Sequence, residues 1–178
     1  MKKNLNLMML VVLILIVFVT THAHATLAMR DKIIKRQIEG KAADTFRLRG
    51  SKIDLLVEDG YVVLYGTVGL YIQKMLYEQI AWKTKGVFEV DNEISVVPGL
   101  PQTDTAIERK IMELVQTHRR FQCVNVIVMV LKGAVHIRVT LDHPLDVLFL
   151  KHKVAEIDGV IKYPGLDINV LLYHLRID

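Results

Sequence analysis

The sequence predicts an α+β protein of two tandem αββαβ modules, each a small three-stranded mixed sheet packed on two helices. Three observations carry this: an internal repeat, a switch within each repeat from helical to alternating apolar spacing, and single glycines at matching places. Sliding the chain over itself by 73 residues lays Asp31 on Asp104, Ile34 on Ile107, Ile38 on Ile111, Val57 on Val130, Gly60 on Gly133, Thr67 on Thr140 and Gly86-Val87 on Gly159-Val160. Apolar positions agree as well, with Ile53, Leu55, Val62, Leu64 and Val68 falling on Val126, Val128, Val135, Ile137 and Leu141. One extra residue near Tyr163-Pro164 then brings Ile94 and Val96 onto Ile168 and Val170. Self-similarity at a fixed shift is the mark of a duplicated structural unit.

Ahead of the repeat, Met1, Lys2 and Lys3 precede an apolar run from Leu7 to Val19, followed by Ala23, His24 and Ala25. That order is expected of a secretory signal peptide cleaved after Ala25. The 13 apolar residues fall short of the roughly 20 that cross a bilayer core at about 1.5 Å per residue, so a retained anchor is the second reading. The expected organisation is residues 1–25 as signal peptide, 26–98 as the first domain, 99–103 as linker and 104–178 as a divergent second domain. The boundary rests on Pro98, Gly99, Leu100, Pro101 and Gln102, which suit neither a helix nor a central strand. Removing the leader takes Lys2 and Lys3 from 23 basic residues and leaves 21 against 19 acids, a balance too mild to argue for nucleic acid. Cys123 is the only cysteine, so the fold must rest on its apolar core and not on disulfides; a buried free thiol among Phe121, Val124 and Val126 is expected.

The elements follow in order within each repeat. Helical spacing comes first, Ile34, Ile38 and Ala42 in one, Ile107, Ile111, Leu114 and Val115 in the other, with Asp104 expected as N-cap. Alternation follows, Ile53, Leu55, Val57 and then Val62, Leu64, Val68, broken by Asp59-Gly60, which predicts a hairpin. Gly60 and Gly133 suit a turn of positive φ. A second helix carries Ile72, Met75, Leu76 and Ile80, or Val147, Leu150, Val154 and Ile157 behind Pro144, with Gly86 or Gly159 expected as its C-terminal cap. A last strand is expected over residues 87–97 and 166–172.

This order, with the stretches VEDGYVVLYGTV (57–68) and KGVFEVDNEISVVP (85–98), resembles the BON domain family, and the best match runs from Asp31 to Val97. The second repeat is weaker, since LKGAVHIRVTL replaces Asp-Gly by Lys132-Gly133 and the later glycine by Val139. The resemblance implies a periplasmic, non-catalytic module associated with phospholipid binding, envelope integrity or osmotic stress. Its motifs are structural, and they name no ligand.

The residues themselves point away from catalysis. Ser51 and Ser95 are the only serines and neither sits in a nucleophile elbow, Cys123 has no neighbouring histidine, and the glycines are scattered singly with no phosphate loop. His118, His136, His143, His152 and His174 lack metal-ligand spacing, His143 beside Asp142 and Asp146 being the best of them. No catalytic, cofactor or metal site is expected.

Two surfaces are candidates for binding. Arg109 and Lys110, with Arg119, Arg120 and Phe121 at the helix end, would suit anionic headgroups, and Arg47, Arg49 and Lys52 repeat the pattern. The plain alternative is a solvated helix end whose arginines complement the dipole. The other surface is the strand in which Val124, Val126, Val128 and Val130 alternate with Asn125, Ile127, Met129 and Leu131, apolar on both faces. Its outer face needs a cover. The first choice is the other half of the chain through Tyr61, Val63 and Tyr65; the next is a protein partner. The function expected is a non-catalytic periplasmic binding module, peripheral on anionic phospholipid or bound to envelope proteins; the alternative is a structural subunit of an envelope assembly such as a secretion complex.

Overall fold

The computed structural model describes residues 27–121, 126–141 and 144–170. In chain order these form α1 (27–44), β1 (Lys52–Glu58), β2 (Tyr61–Val68), α2 (Tyr71–Trp82), β3 (Glu89–Val96), α3 (Asp104–Thr117), β4 (Val126–Leu131), β5 (Ala134–Leu141), α4 (Pro144–Ala155) and β6 (Lys162–Val170). Single 3₁₀ turns, Phe46–Leu48 and Arg119–Phe121, follow α1 and α3. The described residues thus make a mixed α+β structure of four helices and two three-stranded sheets, ordered β1-β2-β3 and β4-β5-β6. In each sheet the first two strands pair antiparallel and the last two parallel. A parallel neighbour needs a crossover, and α2 and α4 provide it.

The alternating residues face inward as their spacing predicts. Leu55, Val62, Leu64 and Ile94 meet Ile34 and Ile38 in one core; Val128, Val135 and Ile137 meet Ile107, Ile111, Leu150 and Val154 in the other. The extra residue near Tyr163-Pro164 is a β-bulge. Ala134 pairs with Lys162 but His136 pairs with Gly165, so β6 carries one residue more than β5 there. A bulge accommodates Pro164, which has no N–H to give a ladder. Strand β6 therefore begins at Lys162, ahead of the expected Leu166.

Asp104 does something other than cap its helix. The Thr103 hydroxyl is the cap, accepting from the Ala106 N–H at 3.2 Å. The two carboxylate oxygens of Asp104 instead accept from the N–H groups of Lys132 and Gly133, both at 2.8 Å. Asp31 does the same for Asp59 and Gly60 at 2.9 and 3.1 Å. A carboxylate matches two adjacent turn N–H groups, and such charge-assisted bonds are stronger than a single neutral cap. Each hairpin turn is thereby tied to the helix that precedes it.

The later glycines also differ from expectation. α2 ends at Trp82 and α4 at Ala155, each four residues before its glycine, so neither Gly86 nor Gly159 is the cap. They sit at positive φ beneath the hairpin turns: a Cβ on Gly60 would lie 2.6 Å from the Gly86 carbonyl oxygen, and one on Gly133 2.7 Å from that of Gly159. Only glycine lets turn and loop approach so closely. Ile157 stands past the end of α4 yet still packs on the core.

The expected cover of β4 by the first half is also overturned. Ile127, Met129 and Leu131 are 53, 62 and 70% exposed. The halves meet through their helical sides, where α2 contacts α4, Tyr71 packs on the second core and Arg47 bonds Glu156 at 2.6 Å. With contact on that side, both outer sheet faces stay in solvent. The expected signal peptide, Cys123, Val124, Asn125, Asp142-His143 and the expected strand end at Leu172 lie outside the described residues.

Candidate functional site

The expected cations stand on two elements, α3 and the 3₁₀ turn after it. Arg109 and Lys110 are exposed on α3, about 12 Å of helix axis before its end, and the Lys110 ammonium donates to the Gln102 side-chain oxygen at 3.3 Å. Arg119 is exposed on the 3₁₀ turn. Phe121, expected at the surface with them, is 2% exposed and belongs to the second core. The 3₁₀ turn that continues from α3 explains it, because it rotates Phe121 inward while Arg119 and Arg120 stay out. Its ring lies 5.1 Å from that of His118 and 5.9 Å from that of Phe149.

Arg120 leads to a site that the sequence reading missed. Its guanidinium stands 4.9 Å over the Phe149 ring and 3.7 Å from the Asp146 carboxylate. Beside it opens a cleft of about 480 Å³ lined by Arg47, Arg120, Leu145, Leu148, Phe149, His152, Lys153 and Glu156. Arg47 and Arg120 hold the same place in the repeat, 73 residues apart, and the docking of the halves sets both on one cleft. Leu145 is 76% and Leu148 55% exposed. They form an i, i+3 apolar pair on one side of α4, flanked by cations.

The charges are only partly neutralised. Glu156 accepts from Arg47 at 2.6 Å and from Lys153 at 2.9 Å, one carboxylate shared by two cations. Although partial burial pushes the other way, hydrogen bonds from Lys153 and Arg47, and their charges, hold the Glu156 carboxyl below its usual range. Three cations therefore face two carboxylates, Glu156 and Asp146, beside an exposed apolar pair. Such a cleft suits an amphiphile with an anionic head.

A sequence signal for this site existed. Val147, Leu150 and Val154 satisfy the core spacing of α4, which leaves Leu145 and Leu148 as apolar residues without a core role. A helix apolar on more than its core stripe has a second face to account for. What spacing could not supply is Arg47, which arrives from the other half.

Among the described residues no group of three or more His, Cys, Asp or Glu side chains is placed to hold a metal ion. None of the described helices is long and apolar enough to cross a membrane.

No curated protein matches the chain. Two solved structures of CdsD, described as a structural protein of the type III secretion system of Chlamydia trachomatis, are similar at 14 and 16% identity, over 76% of this chain, with TM-scores of 0.30 and 0.28. The alignments cover 59 and 62% of those chains. Residues 30–98 match the family model of the BON domain. The match takes in most of α1 and the whole first sheet with α2, and in that stretch the chain is similar to the BON family.

Proposed function

We propose that this chain is a non-catalytic, exported envelope module of two divergent BON-like domains, residues 26–98 and 104–178, that attaches peripherally to anionic membrane through the cleft on α4. The observation that carries the reading is the convergence of Arg47, Arg120 and Lys153 around exposed Leu145 and Leu148. Each cation near an anionic surface contributes about 1 kcal/mol, and fully burying a leucine adds roughly 1.5–3 kcal/mol. Together these favour a weak, reversible and salt-sensitive attachment. The leader at residues 1–25 supports export to the periplasm, and the BON match supports a phospholipid-binding class of module.

Co-sedimentation with vesicles containing phosphatidylglycerol tests it. The wild type is expected to pellet at low salt and to be released at high salt, while Arg120→Glu with Leu148→Asp stays in the supernatant. Pelleting unchanged by these substitutions, or no pelleting by the wild type, defeats the reading. Arg109→Glu with Lys110→Glu is expected to change little, since those residues lie away from the cleft.

The second reading, a structural subunit of an envelope assembly, is favoured by one feature, the exposed apolar row of β4. Crosslinking in cells followed by purification in mild detergent separates the two readings. A protein recovered without any crosslinked neighbour speaks against the second.

A further inference from the structure

The outer faces of the two sheets are opposite in character. On the first sheet the register aligns Glu58, Tyr61 and Glu89 in one row, Leu56, Val63 and Asp91 in the next, and Asp54, Tyr65 and Glu93 in the third. An apolar central strand is thus flanked by carboxylates on both neighbours. The crowding is felt by Tyr61, whose phenol is held above its usual range by partial desolvation and by the charges of Asp91, Glu89 and Glu93. On the second sheet the exposed row Ile127, Met129 and Leu131 borders Arg138, His136 and Ala134, and Lys162 shares the Ala134 row. Arg138 has Asp167 as its register neighbour on β6. The register thus sets Asp167 beside Arg138 on this face, and Lys132 stands at its turn.

We infer that the outer face of the first sheet is a docking surface for the outer face of the second sheet on another copy of this chain. The two faces cannot meet within one molecule, because the halves touch through their helical sides and leave both faces in solvent. Between molecules, Tyr61, Val63 and Tyr65 offer an apolar strip for Ile127, Met129 and Leu131, and the acidic flanks lie opposite Lys132, Lys162 and His136. Two first-sheet faces would instead set carboxylates against carboxylates. The contact is therefore heterologous, head to tail, and it continues until a ring closes or a filament grows. A face three strands wide and about eight residues long measures about 14 by 26 Å, roughly 730 Å² over two partners, below the ~1,200 Å² of stable specific interfaces, so the assembly is a weak one that needs high protein concentration and loosens with salt. The inference does not rest on the α4 cleft.

Sedimentation velocity on the protein expressed with its own leader, across a concentration series at low salt, tests it. The wild type is expected to form a concentration-dependent series of oligomers beyond dimer. Met129→Asp spoils only the second face and Asp91→Lys with Glu93→Lys only the first, so each variant alone is expected to associate at least tenfold more weakly. Mixed one to one, they retain one good face each and should form heterodimers. A wild type that stays monomeric overturns the inference. So does an Asp91→Lys, Glu93→Lys protein that associates as the wild type does, which would indicate second-sheet faces pairing with each other. Variants that fail to dimerise on mixing while keeping wild-type melting temperatures count against it equally.

Discussion

The two hairpins hold the same turn with different residues. Asp59 and Lys132 occupy equivalent places, each at φ 50°, followed by Gly60 at 81° and Gly133 at 72°. Left-handed backbone is tolerated by Asp and disfavoured for a long side chain such as Lys. Both turns are nonetheless closed by a carboxylate from the preceding helix, Asp31 or Asp104, and both rest on a glycine carbonyl behind them. The two hairpins therefore share the devices that set the backbone and differ in their outward side chains. Around this common frame the first sheet carries carboxylates along its outer face and the second an exposed apolar row.

The sharpest probe of that comparison is the buried residue of the 3₁₀ turn, Leu48 in one half and Phe121 in the other, 3 and 2% exposed. Phe121→Ala is expected to cost about 3–5 kcal/mol and Leu48→Ala about 2–5 kcal/mol, read by urea denaturation. Hydrogen exchange should show the loss concentrated in the half that carries the substitution. A Phe121→Ala protein of unchanged stability would return Phe121 to the surface role expected of it from sequence.

Next come the turn glycines. Gly60→Ala and Gly133→Ala each combine a strained φ with a Cβ less than 3 Å from a backbone oxygen, and a loss of about 2–4 kcal/mol is expected for either. Near-equal losses in the two variants support a shared frame. A loss confined to Gly60 would mean that the second turn relaxes and that the likeness is only superficial.

Much of this frame was legible because it is local. Alternation placed Leu55, Leu64, Val135 and Ile137 in the cores, and the repeat alignment located the bulge at Tyr163-Pro164 by its one surplus residue. The roles of Asp31 and Asp104 were not legible, because their partners lie 28 and 29 residues ahead across a hairpin. A helix-start aspartate also has a nearer use as a cap. Phe121 was misplaced because helical spacing stops at Thr117 and the 3₁₀ turn has a different period. The cleft was hidden for the most basic reason: Arg47 and Glu156, 109 residues apart, meet only when the halves dock.

Asp104→Ala removes two charge-assisted bonds and is expected to cost about 1–3 kcal/mol, with Asp31→Ala alike. Lys132→Gly should act oppositely. It removes a side chain from left-handed backbone while keeping the N–H that Asp104 holds, so a gain of about 0.5–1 kcal/mol is expected, against a smaller change for Asp59→Gly. Thermal unfolding of the four variants decides whether Lys132 is the strained member of the pair.

The smallest effect is expected where the halves touch. Arg47→Ala removes a bond made by a side chain that is 53% exposed, and exposed pairs contribute about 0.2–1 kcal/mol. Its pH dependence is more informative than its size. Because the folded-state pKa of Glu156 is depressed, the stabilisation it reports is fully present above the ordinary glutamate value of about 4.3 and is lost as the pH falls through the lower folded value. Wild type and Arg47→Ala should therefore differ at pH 6 and converge as the pH drops below about 4, with the difference at pH 6 shrinking in high salt. Lys153, which donates to the same carboxylate at 2.9 Å, is untouched by the substitution, so some acid dependence is expected to remain. A gap that persists unchanged at pH 3 would mean that Arg47 joins the halves through the packing of its stem and not through its charge.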